Sequence, residues 1–139
     1  MKLINMKKLP ILFTLIFSLS FFSSKSNAEW TNVGRNSTGN THYIDFENIR
    51  KHNGYVYYWI LSDYLKPLTP GKLLSSKRYQ QGDCNIFRFK VLSYVYHKQP
   101  MGRDIGKSAE PVNKKWRYPS PSDGDASDLK LVCKYVRGK

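Results

Sequence analysis

The chain has 139 residues with 23 lysines and arginines against 10 acids, a net charge of +13. That length leaves room for one ordinary domain and excludes a multidomain assembly. A charge so far from zero points to anionic polymers or surfaces as partners.

In chain order, residues 1–28 read first as an export signal. Lys2, Lys7 and Lys8 form a cationic start, Leu9 to Phe22 are apolar except for Pro10, Thr14, Ser18 and Ser20, and Ser26-Asn27-Ala28 places small residues where a signal peptidase cuts. The apolar run of 14 residues falls short of the ~20 that a membrane-spanning helix needs. An uncleaved N-terminal anchor is the alternative. Cleavage leaves one domain, 29–139, with no membrane span. The leader removes four lysines and no acids, which lowers the charge from +13 to +9. In an exported protein that charge predicts lipopolysaccharide, acidic glycans or matrix as partners and disfavours nucleic acid.

Glu29 to Val33 reads as a short strand ended by Gly34, and Arg35 to Asn40 as a turn. Thr41 to Asp45 is a second strand, and Asp45 to Ile49 a tight or single helical turn capped by Asp45. Asn53-Gly54 is a strong hairpin signal. It leads into Tyr55 to Leu61, apolar on both faces and rich in strand formers, which fits a central strand. Pro67 and Pro70-Gly71 break the chain, and Ser75 to Gln81, polar on both faces, is placed at a sheet edge. Asn85 to Lys98 is read as the longest strand. Simple alternation puts Phe87, Phe89, Val91 and Val95 on its core face and Arg88, Lys90, Tyr94 and Tyr96 on the other.

Gln99 to Pro121 is a loop punctuated by prolines and glycines. Its length demands an anchor, for which Trp116 and Tyr118 are the candidates. At the C-terminus the spacing fits either a strand or a helix. Ser122 as cap, Asp123 and Asp125 in the first turn and Lys134 and Arg137 in the last match the helix dipole, so a helix is predicted over about Asp123 to Tyr135. Its buried face is Ala126, Leu129, Val132, Cys133 and Val136.

Cys84 and Cys133 are the two cysteines of the chain. In an oxidising compartment they pair, pinning the helix to the strand that carries Cys84. Neither stands beside the cleavage site as a lipid acceptor.

Several landmarks then occur in a particular order: Tyr43-Ile44-Asp45 with Asn48-Ile49, the Tyr55 to Asp63 strand, Asp83-Cys84, Met101-Gly102, Trp116-x-Tyr118-Pro119 and Val132-Cys133. Over Trp30 to Tyr135 this ordered set resembles the bacterial surface-adhesin protein E family. The resemblance implies an α+β fold: an antiparallel sheet, here of about five to six strands, with a C-terminal α-helix laid on it and tied by one disulfide. It also implies adhesion to host matrix proteins and cells, with recognition near Cys84.

The candidate binding surface is the basic and aromatic strand face, comprising Arg88, Lys90, Tyr94 and Tyr96 with Lys77, Arg78 and Tyr79 on the neighbouring strand. Guanidinium forks grip sulfate or carboxylate in pairs of hydrogen bonds, and tyrosine faces give contact area at low entropic cost. A solvated face whose long stems shield tyrosines is the plainer reading. No catalytic role is expected: His42, His52 and His97 lack metal-ligand spacing, no nucleophile elbow or phosphate loop occurs, and no cofactor is implied. The expectation is an exported, non-enzymatic, adhesin-like protein in the periplasm, on the cell surface or secreted. One alternative is a periplasmic interaction module without host contact. The other is a small basic hydrolase in which His42 and His97 meet across the sheet. A homodimer would form if the Trp30 strand or Ser75 to Gln81 paired edge to edge with a second copy, against the repulsion of Lys77 and Arg78.

Overall fold

The structure, a computed structural model, describes residues 28–139. Apart from Ala28, the expected export signal lies outside the described residues. Strand β1 (Thr31–Arg35) turns into β2 (Thr41–Ile44), and a 3₁₀ turn (Phe46–Asn48) leads to β3 (Arg50–His52). Then follow β4 (Tyr55–Leu68), β5 (Leu73–Asp83), β6 (Arg88–His97), a second 3₁₀ turn (Pro100–Gly102), β7 (Lys107–Ala109) and α1 (Gly124–Arg137). All strand pairs are antiparallel, in the order β1-β2-β4-β5-β6-β7, with β3 continuing the line of β2 along β4. The α+β class and the antiparallel sheet are as the sequence predicts.

Local chemistry explains the hairpins. Asn53 (φ 50°) and Gly54 (φ 79°) are both left-handed, the geometry a two-residue turn between twisted strands requires. The expected break at Pro67 does not occur: β4 continues to Leu68 and turns only at Thr69–Lys72. Beyond Asp63 the strand has left its partner β2, and its ladder with β5 is interrupted until Leu68, so Pro67 costs no hydrogen bond. β4, with 14 residues, is therefore longer than β6, with 10, and Phe87 falls in the β5–β6 turn at φ 59°.

Ser75 to Gln81 is not an edge. It lies inside β5, paired with β4 on one side and β6 on the other. Several of its polar groups find tertiary partners, which helps a strand polar on both faces to sit mid-sheet: Ser75 Oγ donates to the Gln99 carbonyl at 2.6 Å, Tyr64 Oη donates to Ser76 Oγ at 2.6 Å, and Arg78 is ion-paired, whereas Gln80 Nε2 is buried without a protein partner.

The core lies between the sheet and α1. Ile44, Val56, Tyr58 and Ile60 pack against Leu129, Val132 and Cys133, all buried. Gly82 is required there, because a Cβ would meet Leu129 Cδ1 at 2.8 Å and Val56 Cγ2 at 3.0 Å. The Cys84–Cys133 disulfide fastens the second half of the helix to the end of β5 across a sequence separation of 49. The helix begins one residue later than predicted, at Gly124, and Asp123 Oδ2 accepts the Ser120 N–H rather than capping the first turn.

Candidate functional site

Register decides where the seven predicted site residues point. Between β5 and β6, Tyr79 faces Ser93 but Gln80 faces Val91, so Leu92 is an extra residue in β6. Side chains alternate with a period of two, so one bulged residue reverses the phase beyond it. Before the bulge, Phe89 and Val91 face α1 while Arg88 and Lys90 face away; after it, Tyr94 and Tyr96 face α1 while Val95 and His97 face away. The bulge divides the predicted residues of β6, and on β5 plain alternation sets Arg78 opposite Lys77 and Tyr79. Lys77, Tyr79, Arg88 and Lys90 share the side opposite the helix; Arg78, Tyr94 and Tyr96 lie on the helix side.

On the open side the residues form a continuous surface. Tyr55, Tyr57 and Trp59, two residues apart on β4, point outward. Tyr79 crosses to them, with ring centroids 4.9 Å from Trp59 and 6.3 Å from Tyr57. Trp116 reaches back from the long loop to Tyr55 at 5.5 Å, and its ring lies beneath the Arg88 guanidinium at 4.2 Å and the Lys90 ammonium at 4.7 Å. The loop is held there by paired backbone hydrogen bonds between Phe89 and Arg117 of 3.0 and 2.7 Å. Trp116 is thus the expected anchor, whereas Tyr118 is largely exposed and touches the sheet only through its hydroxyl, 3.4 Å from Arg88 Nη1. At the far end Lys77 lies 5.8 Å over Trp30 and donates to the Gly102 carbonyl. Arg50, opposite Tyr57 in the β3–β4 register, adds a further cation to this side.

Carboxylates stand beneath these cations. Asp83 Oδ2 accepts from Arg88 Nε at 3.1 Å, and its Oδ1 accepts from the Asn85 and Ile86 amides. Burial pushes the Asp83 carboxyl up, but those amides and the guanidinium outweigh it and hold it below the ordinary value. The pair fixes Arg88 in place. Among the described residues, Arg50, Lys77 and Lys90 take part in no ion pair. Half-buried aromatic rings and outward cationic heads can receive a planar or ring-shaped anion by stacking and charge together.

The helix side is occupied differently. Arg78 Nη2 is 2.7 Å from Asp125 and 3.4 Å from Asp128, whose other contact is His42 Nδ1 at 3.0 Å. Burial beside this cluster pushes the Tyr58 phenol far above its ordinary value. Tyr94 and Tyr96 stack on each other at 5.6 Å beyond it. Arg78 serves the helix-to-sheet junction. His42 belongs to this side and His97 to the other, where its Nδ1 meets Asp104 at 3.1 Å, so the two histidines do not meet across the sheet.

Sequence reasoning missed Arg50, Tyr55, Tyr57, Trp59 and Trp116 as parts of one surface. The signal was present: three aromatic residues at spacing two on one strand form a ladder on a single face, even where the alternate positions are also apolar.

An antiparallel sheet backed on one side by a tethered helix, with aromatic rings and cations on the other, defines a small module with one covered and one open sheet face. The sequence model of surface-adhesin protein E matches residues 30–134, and the chain belongs to that family. Its fold is similar to the structure of Haemophilus influenzae protein E, at 18 % identity and a TM-score of 0.59 over 80 % of this chain and 89 % of that one. A second crystal form of that protein gives 18 % and 0.56 over 81 % and 92 %. Protein E from non-typeable Haemophilus influenzae gives 16 % and 0.53 over 80 % and 79 %. No curated protein matches the sequence. Among the described residues, no helix is long and apolar enough to cross a membrane.

Proposed function

We propose that this chain is an exported, non-enzymatic, adhesin-like protein that holds an anionic partner, a carboxylated or sulfated glycan of matrix or envelope, against the sheet face opposite α1. The observation that carries this reading is the layer of Arg88 and Lys90 over Trp116, continued by Tyr55, Tyr57, Trp59 and Tyr79. Membership of the surface-adhesin protein E family supports a binding role at or beyond the cell surface. Arg88 and Lys90 rest on the Trp116 ring and Arg88 also on Asp83, which reduces the side-chain entropy lost on binding.

The test is retention on an immobilised sulfated or carboxylated polysaccharide as salt is raised. Exposed charges are screened within ~8 Å at physiological strength, so elution should come at moderate salt. The double substitution Arg88→Glu and Lys90→Glu should abolish retention, while Lys130→Glu, on the exposed side of α1, should change it little. Equal retention of all three proteins removes the face from consideration. Protease shaving of intact cells tests display: digestion is expected, and complete protection would leave a module confined behind the outer membrane.

A further inference from the structure

At one end of the sheet two segments leave the same row of strands. Asp63, Ser75 and His97 are paired across β4, β5 and β6, and beyond that row lie the β4–β5 hairpin tip and the loop 98–106. Residues 65–72 of the hairpin are all exposed. Leu65 is 63 % and Leu68 44 % exposed, and in the loop Ile105 stands 98 % in water. Three of the six exposed large apolar side chains among the described residues thus gather at one end. A groove of about 900 Å³ joins the two segments, walled by Leu73, Tyr96 and Ile105 and rimmed by Lys98, Arg103 and Lys107. Single exposed apolar residues need no explanation, but a cluster with a polar rim marks an interaction site.

Looseness does not account for this exposure. The Met101 amide donates to Asp63 Oδ1 at 2.7 Å, and that of Gly102 to Ser75 Oγ at 2.8 Å. Asp104 accepts the Lys98 and Gln99 amides at 3.2 and 3.3 Å and meets His97 Nδ1 at 3.1 Å. Gly106, at φ 75°, brings the backbone so near His97 that a Cβ would meet its Cε1 at 2.6 Å. Ile105 is left outside between these two fixed points. On the hairpin, the Leu65 amide donates to Asn40 Oδ1 at 3.1 Å. Apolar groups already held outward lose little freedom when a partner covers them.

Charge selects the partner. Lys66, Lys72, Lys98, Arg103 and Lys107 surround these side chains, and among the described residues none of the five is in an ion pair. The neighbouring carboxylates, Asp63 and Asp104, are engaged by the amides just named. Apolar tips on separate turns, with long cationic side chains between them, suit an interface between acyl chains and phosphates. Lysine stems can lie along the apolar layer while their heads reach the headgroups. The geometry points to an end-on docking site for an anionic bilayer surface, with Leu65, Leu68 and Ile105 entering the headgroup–acyl boundary and the five cations meeting lipid phosphates. This end lies outside the sheet face opposite α1, and docking by it leaves that face open.

The experiment uses residues 29–139, because the apolar leader would itself enter lipid. The protein is sedimented with vesicles of phosphatidylcholine, alone or with about one-third phosphatidylglycerol. Binding is expected to the anionic vesicles and to be at least about tenfold weaker without phosphatidylglycerol. Ile105→Ser and Leu68→Ser, both at exposed positions, should each weaken it about tenfold. Lys66→Glu should weaken it at least about tenfold. Lys139→Glu makes the same change of charge beyond α1, whose Arg137 reaches the Cys84 carbonyl at the other end of β5. That end is roughly 30 Å away, several screening lengths, so the loss there should stay below about twofold. In Ile105→Trp, vesicles should shift emission to the blue and brominated acyl chains should quench it, with neither effect on the native tryptophans. No binding to anionic vesicles, full binding by both serine variants, or equal losses in Lys66→Glu and Lys139→Glu overturns the site. Binding without quenching in Ile105→Trp overturns insertion, and capture of an envelope protein in place of vesicles overturns the bilayer as partner.

Discussion

Replacing Trp116 by alanine should free the loop from the sheet without unfolding the domain. Trp116 is half-buried, and about half of the ~250 Å² that an indole can bury, at ~25 cal/mol per Å², is worth about 3 kcal/mol. The contacts with Tyr55, Arg88 and Lys90 are the atoms that bury this area, so they are not counted again. Once the indole is gone, the two hydrogen bonds between Phe89 and Arg117 and the contact of Arg88 with the Tyr118 hydroxyl hold the segment. Lys114, Lys115 and Arg117 are exposed trypsin sites within it. Cleavage of a locally opened segment follows the population of the open form, and tenfold corresponds to about 1.4 kcal/mol. Trypsin should therefore cut at residues 114–117 on the order of 100-fold faster in Trp116→Ala, by mass mapping of timed digests. Cutting at Lys134, in the helix on the other side of the sheet, should be unchanged. A rate at 114–117 within threefold of the native protein, or uniform acceleration at every site, would refute the anchoring argument.

Three further outcomes are expected. Converting Cys84 and Cys133 to alanine opens a loop of about 50 residues and should cost about 4 kcal/mol, read as a lower urea midpoint that dithiothreitol reproduces in the native protein. Gly82→Ala should cost about 1–3 kcal/mol because its Cβ collides with Leu129. Adding Leu129→Ala should cost less than the two separate losses combined, and strict additivity would show that the collision is not with that side chain. Asp83 is held below its unfolded value of ~3.9, so the folded state binds fewer protons than the unfolded chain once pH drops toward that value. Its contribution is complete above ~3.9 and is lost as pH falls through the lower folded value. Urea midpoints should therefore drop more from pH 5 to pH 3 in the native protein than in Asp83→Asn, and an equal drop would contradict the assignment.

Much of the scaffold was legible because its signals are local. Asn53-Gly54 specifies a turn by backbone stereochemistry, and the charges at both ends of α1 settled a pattern that spacing left open. Two cysteines in an exported chain have one way to pair. The features that escaped depend on partners far away in sequence. Ser75 to Gln81 looks like an edge when its polarity is read alone; that Gln99, Tyr64 and two helix aspartates partner Ser75, Ser76 and Arg78 is a tertiary fact. Leu92 shifts the phase of β6 because β5 skips it, and a strand read by itself carries no record of its neighbour's register. The sequence trace of the slip is faint: an apolar Leu92 and a small Ser93 fall where strict alternation expects the opposite characters. From Tyr94 onward the predicted faces are exchanged, which divided the β6 residues of the candidate site between the two sides of the sheet.

The division has a physical consequence for how such a domain can both fold and bind. One helix can cover only one face of a single sheet, so the face opposite must reach tolerable solvation by its own side chains. Here Tyr57, Trp59 and Tyr79 bury part of one another, and Trp116 removes further apolar area while orienting two cations. Beyond the area they bury, those contacts stabilise by fractions of a kcal/mol to about 1.5 kcal/mol each, and the burial of Trp116 holds the loop rather than the core. Because global stability is concentrated on the α1 side, residues of the open face can change without unfolding the protein, provided the aromatic ladder of β4 is retained. Substitutions at Lys90 or Arg50 should thus alter binding with little effect on the urea midpoint, whereas changes of Leu129 or Val132 should lower the midpoint first and binding only as a consequence. A scan of both faces that found stability and binding losses at the same positions would show that this separation does not exist.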